Sequence, residues 1–214
     1  MAVSDGRSDH RTKCATKSQS VVLARSPLAR VVRGRGGPNR NFAVACSNAL
    51  ESPVILGPFL INIRATVTPT QFRLAGQALA YSEVRKQFNS VSLRLRLRTL
   101  QKSGINVLAT TVPYPARAPV AKHLRIAVRS DGVAAVITRN DDASRSVYVL
   151  TGHSCTLRDQ VASATDRSLA LRFTAGQLKW NAGGGARSAD IPRQTAKGHG
   201  QTGPRTVLDC TPVA

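Results

Sequence analysis

Acidic residues are scarce in this sequence of 214 residues, which has 11 Asp and Glu against 31 Lys and Arg and a formal net charge of +20. Such a surplus exceeds what solubility requires, and it repels itself in a compact chain. Arg outnumbers Lys, and the planar guanidinium group suits phosphate oxygens. The composition therefore predicts a polyanionic partner, most simply a nucleic acid. A basic surface with no dedicated ligand is the alternative.

Aromatic residues make up only 4% of the chain. Proteins that read single strands usually stack the bases on exposed aromatic rings, so this scarcity argues against that mode of binding. We expect Phe72, Tyr81, Phe88 and Trp180 to fill the core instead. Binding would then occur mainly through phosphate contacts and would depend strongly on salt.

Long apolar runs and closely spaced cysteines are also missing. No run approaches the roughly 20 residues of a membrane-spanning helix, and the N-terminal residues lack the apolar stretch of a secretory signal. Membranes are therefore not expected as partners. The four cysteines Cys14, Cys46, Cys155 and Cys210 are far apart and form no C-x-x-C pair. Nothing in this spacing indicates a disulfide framework, and a reducing, intracellular setting is the default expectation.

Signatures of catalysis and of cofactor binding are weak. His153 and Cys155 could form a thiol and base pair or share a metal ion, but a polar turn with a small buried cysteine is the more common meaning of this pattern. Asp141 and Asp142 could help to hold a calcium ion at a subunit contact, although such pairs usually form turns. The phosphate-binding glycine motifs of nucleotide enzymes do not occur. We therefore predict a protein that is not an enzyme, with no small-molecule substrate and no required cofactor.

Residues 1 to 40 form a basic segment whose only acidic residues are Asp5 and Asp9. Its small and polar composition predicts that it is disordered alone and acts as a flexible nucleic-acid-binding arm. A cleaved organellar transit peptide has a similar composition and is the alternative. The predicted RNA-binding residues of the arm are Arg7, Arg11, Lys13, Lys17, Arg25, Arg30, Arg33, Arg35 and Arg40.

From Phe42 onward, apolar residues often alternate with polar ones, which is the period of a half-buried β-strand. Residues 61–68 and 91–98 show this pattern most clearly. In the second of these segments, Arg94, Arg96 and Arg98 share one face of the predicted strand. We predict that this face adds to the RNA-binding surface, with a simply solvated polar face as the alternative.

Further strands are predicted on either side of turns at Gly104 and at Asp131–Gly132. About eight strands result, which favours an antiparallel β-sandwich over residues 41–214. One short helix is predicted over Gln77 to Phe88, where apolar residues are spaced by three or four. Residues 181–205, rich in glycine and polar residues, are predicted to be a loop before the last strand.

The segment from Leu79 to Val112 resembles part of the shell domain of coat proteins from small positive-strand RNA viruses, particularly those of the tombusvirus and sobemovirus kind. It contains Leu-Ala-Tyr-Ser-Glu-Val-Arg-Lys-Gln-Phe, followed by an alternating strand, the Ser103–Gly104 turn and another strand. In those proteins a similar Tyr-Ser-x-x-Arg helix packs beside the sheet. Coat proteins of ourmiaviruses are comparable in size.

This resemblance implies a viral jelly roll over residues 41–214 that assembles into a shell. It also implies that the basic arm points inward to neutralise packaged RNA. The protein would then lie in the virion, and in the host cytoplasm during assembly. The calcium-binding aspartates often found at shell contacts in that group have no clear counterpart in this sequence.

A different class of protein would have an equally basic composition. A monomeric ribosomal or organellar RNA-binding protein would also be strongly basic, but it would act as a single copy within a larger complex. Self-association separates the two hypotheses, because only the coat protein should form a large homo-oligomer.

Overall fold

Every element that the structure describes is a β-strand. The computed structural model describes residues 21–36, 40–47, 53–57, 59–62, 65–87, 90–100, 108–112, 122–140, 143–151, 154–162, 169–183, 185–194 and 210–212. Seventeen strands in these ranges form four sheets, and their neighbouring strands are antiparallel except for one pair. The predicted all-β, antiparallel class is confirmed, with about twice the predicted number of strands.

Sheet I is formed by four consecutive strands. They are β1 (Val21–Arg25), β2 (Ala29–Gly36), β3 (Arg40–Ser47) and β4 (Val54–Gly57). The prediction of a disordered arm is therefore wrong for residues 21–36. These residues are ordered in strands because they contribute to the core: Val31 of β2 is fully buried and pairs with the buried Ala45 of β3. Residues 1–20 lie outside the described ranges.

Sheet II consists of β5 (Phe59–Asn62), β6 (Ala65–Ala75), β7 (Ala78–Gln87), β8 (Ser90–Thr99) and β9 (Leu108–Val112). The predicted strand over residues 91–98 is confirmed as part of β8. The predicted strand over residues 61–68 is divided instead, because β5 ends at Asn62, which pairs with Ala65 at the start of β6.

The predicted helix over residues 77–88 is wrong, because residues 78–87 form strand β7. This strand pairs with β6 on one side and with β8 on the other. Ala78, Leu79, Ala80 and Tyr81 are all buried, so both faces of the strand are covered here. A strand buried on both faces loses the alternation of apolar and polar residues by which a strand is recognised.

Sheet III consists of β10 (Lys122–Val128), β11 (Ala134–Arg139), β12 (Arg145–Leu150), β13 (Cys155–Val161) and β17 (Cys210–Pro212). The predicted hairpin at Asp131–Gly132 is confirmed, and Gly132 has the positive φ of 83° that this turn requires. β17 pairs with β13 in parallel and places Cys210 opposite Cys155.

Sheet IV is a three-stranded meander of β14 (Ala170–Thr174), β15 (Gln177–Asn181) and β16 (Ala186–Asp190). The predicted loop over residues 181–205 is wrong where β16 lies. This edge strand has few apolar residues and is defined by its pairing with β15 rather than by its own pattern.

The four sheets pack face to face in the order I, II, III, IV. One hydrophobic cluster joins sheet I to sheet II through residues such as Val31, Leu79 and Tyr81. A second joins sheet II to sheet III through Leu95, Leu97 and others. The third cluster joins sheet III to sheet IV, and its largest side chain is Trp180.

The strand orders differ from those of a jelly roll. The strands of sheets I, II and IV follow one another in chain order, and sheet III does so as far as β13. A jelly roll is built from Greek keys, in which a later strand returns to lie beside the first strand of the motif. The described sheets are meanders, so they are consistent with a β-sandwich and do not confirm the jelly-roll connectivity.

An arginine joins sheet III to sheet IV. The guanidinium group of Arg129 donates to both carboxylate oxygens of Asp131, at 2.8 Å each, and to the backbone carbonyls of Ile191 at 2.8 Å and Pro192 at 2.6 Å. It also lies over the ring of Phe173, 5.3 Å from the ring centre. The backbone N–H of Gln194 donates to Asp131 at 2.9 Å. These contacts fix the end of sheet IV against the hairpin of sheet III.

Because of the Asp131 carboxylate, the free energy of unfolding should depend on pH. Burial alone would raise its pKa, but the hydrogen bonds from Arg129 and Gln194 and the Arg129 charge outweigh burial and hold the pKa below its usual value of 3.8. A lowered folded-state pKa stabilises the folded state above the unfolded-state pKa, and this contribution is lost as pH falls through the folded-state pKa. In urea titrations at about pH 6, Asp131→Asn should therefore have a lower free energy of unfolding than wild type. This difference in free energy should shrink as the pH is lowered toward about 2.5.

Asp190→Asn, on the exposed edge of sheet IV, is the matched control and should leave the urea midpoint nearly unchanged at both pH values. A difference between Asp131→Asn and wild type that stays constant over this pH range would contradict the role assigned to the carboxylate.

Candidate nucleic-acid interface

Four arginines lie on one face of sheet II, and we call them the arginine face. They are Arg85 of β7 and Arg94, Arg96 and Arg98 of β8. β7 and β8 pair without a break in register, with Glu83 opposite Arg94 and Tyr81 opposite Arg96. The prediction that Arg94, Arg96 and Arg98 share one face is confirmed. Arg85 was missed, because its segment was assigned to a helix.

The arginine face is only partly open to solvent. Arg96 is buried, and its Nε and Nη2 atoms donate to the two carboxylate oxygens of Glu83 at 2.9 and 2.8 Å. The side chains of Arg96 and Glu83 are 11% and 7% exposed. Such a two-bond ion pair matches the fork of the guanidinium group to the carboxylate. Arg96 is therefore engaged in the fold and is poorly placed to meet a ligand.

The other arginines of this face are half-buried. The Nε atom of Arg85 is buried and has no hydrogen-bond partner. Within the described part of this face, four guanidinium groups accompany a single carboxylate, that of Glu83. Among the described residues, guanidinium groups therefore outnumber carboxylates on this face, which makes it a candidate surface for phosphate.

Exposed arginines and lysines also face one another across neighbouring strands. Arg25 of β1 lies opposite Arg30 of β2, and Arg172 of β14 lies opposite Lys179 of β15. Like charges at directly opposed positions destabilise a sheet. Arg172, Lys179 and Arg25 are exposed, and Arg30 is half-buried.

In sheet III, basic residues of three neighbouring strands are in register. Lys122 of β10 lies opposite Arg139 of β11, which lies opposite Arg145 of β12. Arg139 is exposed, and the half-buried Arg145 donates to the carbonyl of Ala182 at 3.0 Å. Together with the pairs on sheets I and IV, this row forms a set that we call the cation pairs: Arg25 and Arg30, Lys122, Arg139 and Arg145, Arg172 and Lys179.

Most of the cation pairs could not be predicted from the sequence, because they depend on which residues of neighbouring strands lie opposite each other, and composition does not reveal this register. One signal was available. Asp141 and Asp142 are typical of a turn, and a turn at that point places the residues on either side of it, Arg139 and Arg145, opposite each other. The exposed Arg172 and Lys179 likewise flank the tight turn at Gly176, whose φ is 88°.

The remaining predicted residues of the basic arm divide into three groups. Arg33 is exposed on β2. Arg35 and Arg40 lie within β2 and β3, where Arg35 is paired with Asn41 and Arg40 with Gly36. Arg7, Arg11, Lys13 and Lys17 lie outside the described residues. The structure therefore does not gather the predicted arm residues into one patch within the ranges it describes.

Three of the four aromatic side chains that were predicted to fill the core are buried there. Phe72, Tyr81 and Trp180 are 6%, 3% and 5% exposed. The rings of Phe72 and Tyr81 stack with their centres 5.7 Å apart. Trp180 donates from Nε1 to the buried carboxylate of Asp159 at 2.7 Å. None of these three rings is available to stack on a base. Phe88 lies outside the described residues.

The cysteines differ from the sequence-based expectation. Cys46 and Cys155 are both disulfide-bonded. The expectation, drawn from the cysteine spacing, that the chain has no disulfides is therefore wrong for these two residues. A sulfur atom in a disulfide is neither a thiolate nucleophile nor a metal ligand, so Cys155 cannot act with His153 in the way considered above. His153 itself lies outside the described residues.

Other candidate groups give no further site in the part of the chain that the structure describes. No cluster of three or more His, Cys, Asp or Glu suitable for a metal ion occurs there. Asp141 and Asp142, the candidate calcium ligands, lie outside it. Among the described residues there is also no helix long and apolar enough to cross a membrane.

Comparison with known proteins gave no relatives. No protein-family model, no curated protein and no solved structure matches this chain.

The Glu83 carboxylate should be needed for the stability of the fold at the arginine face. Replacing it in Glu83→Gln would leave Arg96 buried among other arginines without a countercharge, which should destabilise the fold by about 3–5 kcal/mol. Urea titration with a fluorescence readout of Trp180 measures the change. Asp190→Asn, an exposed acid-to-amide change, should alter stability by less than about 0.5 kcal/mol. Equal effects of the two substitutions would show that the ion pair does not stabilise the fold.

Proposed function

We propose that this protein binds RNA through phosphate contacts and acts as a structural protein, a coat protein that associates with copies of itself and packages RNA. The observation that carries the proposal is the set of cation pairs. The clearest case is on sheet IV, where the exposed Arg172 and Lys179 lie directly opposite each other, an arrangement that costs stability unless an anion lies against it. Sheets I and III hold further cations at opposed positions. A net charge of +20 supports the same conclusion for the whole chain.

The kind of binding follows from which groups are accessible. Guanidinium and ammonium groups are exposed, whereas Phe72, Tyr81 and Trp180 are buried. Contacts to phosphate position a nucleic acid but carry no direct sequence information. Binding should therefore be insensitive to base sequence and should weaken steeply as salt is added.

The role as a coat protein rests on different support. It comes from the basic N-terminal segment and from the likeness in sequence of residues 79–112 to viral coat proteins. The helix of that likeness is replaced by strand β7 in this structure, so the likeness supports the proposal through the residues and not through the local fold. The meander order of the sheets adds no support for a viral jelly roll, so the proposal concerns packaging and self-association rather than that connectivity. Virion and host cytoplasm are the corresponding locations.

The RNA-binding part can be tested on the outer face of sheet IV. Arg172→Gln/Lys179→Gln removes two charges from exposed, opposed positions and should weaken binding to a single-stranded RNA in fluorescence anisotropy. Each phosphate contact on a single strand contributes about 0.7 to the slope of log K against log salt, so the slope should fall by about 1 to 1.5. The effect should be the same for RNAs of different sequence.

The charge-preserving exchange Arg172→Lys/Lys179→Arg is the matched control and should bind RNA almost as wild type does. If wild type showed no association with RNA at low salt, the proposed function would be wrong. If both double variants bound RNA equally weakly, the loss would come from altered packing rather than from charge.

Self-association is tested separately by sedimentation velocity with and without RNA, followed by negative-stain microscopy. A coat protein should form large, RNA-dependent assemblies. An RNA-binding protein that stays a monomer would instead be the single-copy ribosomal or organellar type, and the packaging role would be wrong.

A further inference from the structure

The outer face of sheet I carries an apolar row that crosses all four of its strands. Val22 lies opposite Val32, Val32 opposite Val44, and Val44 opposite Ile55. These residues point away from sheet II, because the alternate residues Val31, Ala43 and Ala45 form the cluster that packs on sheet II. We call Val22, Val32, Val44 and Ile55 the outer row.

The centre of the outer row is covered and its ends are not. Val32 and Val44 are each 7% exposed, whereas Val22 and Ile55 are 47% and 56% exposed. The hydrophobic cluster at the centre consists of Val32, Val44 and Cys46, with Phe42 packed against it. All four belong to β2 or β3, so no other described sheet covers this face.

Cys46 lies in that cluster and is disulfide-bonded. Its partner can be identified from the positions of the four cysteines. Cys155, the other bonded cysteine, lies in the core between sheets II and III, so sheets I and II both separate it from Cys46. Packed sheets are about 10 Å apart, which is beyond the span of a disulfide. Cys46 and Cys155 are therefore bonded to different cysteines, and the two candidates are Cys14 and Cys210.

The register of sheet III decides between these candidates. Cys155 lies directly opposite Cys210 in the parallel pair of β13 and β17. Neighbouring strands are about 4.8 Å apart, and the Cα atoms of a disulfide are usually about 4.4–6.8 Å apart. Cys210 is thus positioned to bond Cys155, which leaves Cys14 for Cys46.

The chain length between Cys14 and β1 permits this bond. Across the sheet, Cys46 on β3 is two strands away from β1, which is about 10 Å. Along the strands, Cys46 is three residues from Ala43, the residue in register with Val21, which is about another 10 Å at a right angle to the first distance. The direct distance is about 14 Å. Cys14 precedes Val21 by seven residues, which can span about 23 Å when extended.

We propose that residues 1–20 dock on the outer row of sheet I and are held there by a disulfide between Cys14 and Cys46. This segment, with its four cations Arg7, Arg11, Lys13 and Lys17, is the occupant that covers Val32 and Val44. The inference does not depend on RNA binding. It makes attachment of the basic segment sensitive to reduction, because breaking the bond frees the segment and uncovers the apolar row.

Peptide mapping tests the pairing directly. The chain purified without reductant is alkylated and digested with trypsin, which places the four cysteines in four different peptides: 14–17, 41–64, 146–158 and 206–214. Mass spectrometry should find peptide 14–17 linked to 41–64, and peptide 146–158 linked to 206–214. Linkage of 41–64 to 206–214 or to a second copy of itself would overturn the proposal, as would alkylation of Cys46 before reduction.

Limited proteolysis tests the docking. Cys46→Ser should increase the rate of trypsin cleavage after Arg11, Lys13 and Lys17 severalfold, and it should increase the fluorescence of a dye that binds apolar surface. Cys155→Ser, which breaks the other bond, is the matched control and should leave these cleavage rates unchanged. Cleavage at the wild-type rate in Cys46→Ser would show that residues 1–20 are not held on sheet I. The mapping of wild-type peptides decides the pairing even if a variant fails to fold.

Discussion

Burial of sheet II on both faces is the constraint on which the rest of the structure depends. One face meets sheet III through Leu95 and Leu97, and the other meets sheet I through Leu79 and Tyr81. A strand that passes between two sheets must supply apolar side chains in both directions. Beyond the contact with sheet I, the same face carries arginines, and Glu83 neutralises the most deeply buried of them, Arg96. Exclusion of water from this contact strengthens the attraction between the two charges.

The positive charge is distributed over the sheets rather than limited to one segment. Sheets I, III and IV each have cations opposite cations, while the acidic residues Asp131 and Asp159 are used inside the structure. Asp131 is bound by Arg129, and Asp159 accepts bonds from Trp180 and Arg187. These two carboxylates stabilise contacts between sheets III and IV, and Asp190 is the one exposed acidic residue among those that the structure describes. The described carboxylates are thus used mainly at internal contacts, while many of the described arginines and lysines lie at the surface.

Part of this fold could be predicted from the sequence, and the missed parts have definite physical causes. The β8 strand was predictable because one of its faces is apolar and the other carries arginines. β7 was mistaken for a helix because Ala78 to Tyr81 are buried on both faces, which removes the period of two. β1 and β2 were hidden by their arginines, although Val31 and Ala29 are core residues. β16 has no apolar face, and only its partner strand makes it a strand.

The candidate site was predictable to a smaller degree, because a site on sheets depends on which strands are neighbours. The shared face of Arg94, Arg96 and Arg98 follows from alternation along one strand. The engagement of Arg96 by Glu83 and the opposition of Arg172 and Lys179 follow from register between strands, which is set by the whole fold. The disulfides were missed for the same reason, since the cysteines are distant in sequence.

The meander order of the sheets has a consequence for how the chain reaches its native state. In sheets I, II and IV, every strand pairs with its neighbour in the chain, so each pairing closes a small loop, which favours rapid folding over pairings between distant strands. β17 is the exception, because Cys210 must find a strand that begins 55 positions earlier, at Cys155. Each meander can form on its own timescale, and the C-terminal strand docks as the slow, non-local step that closes the edge of sheet III.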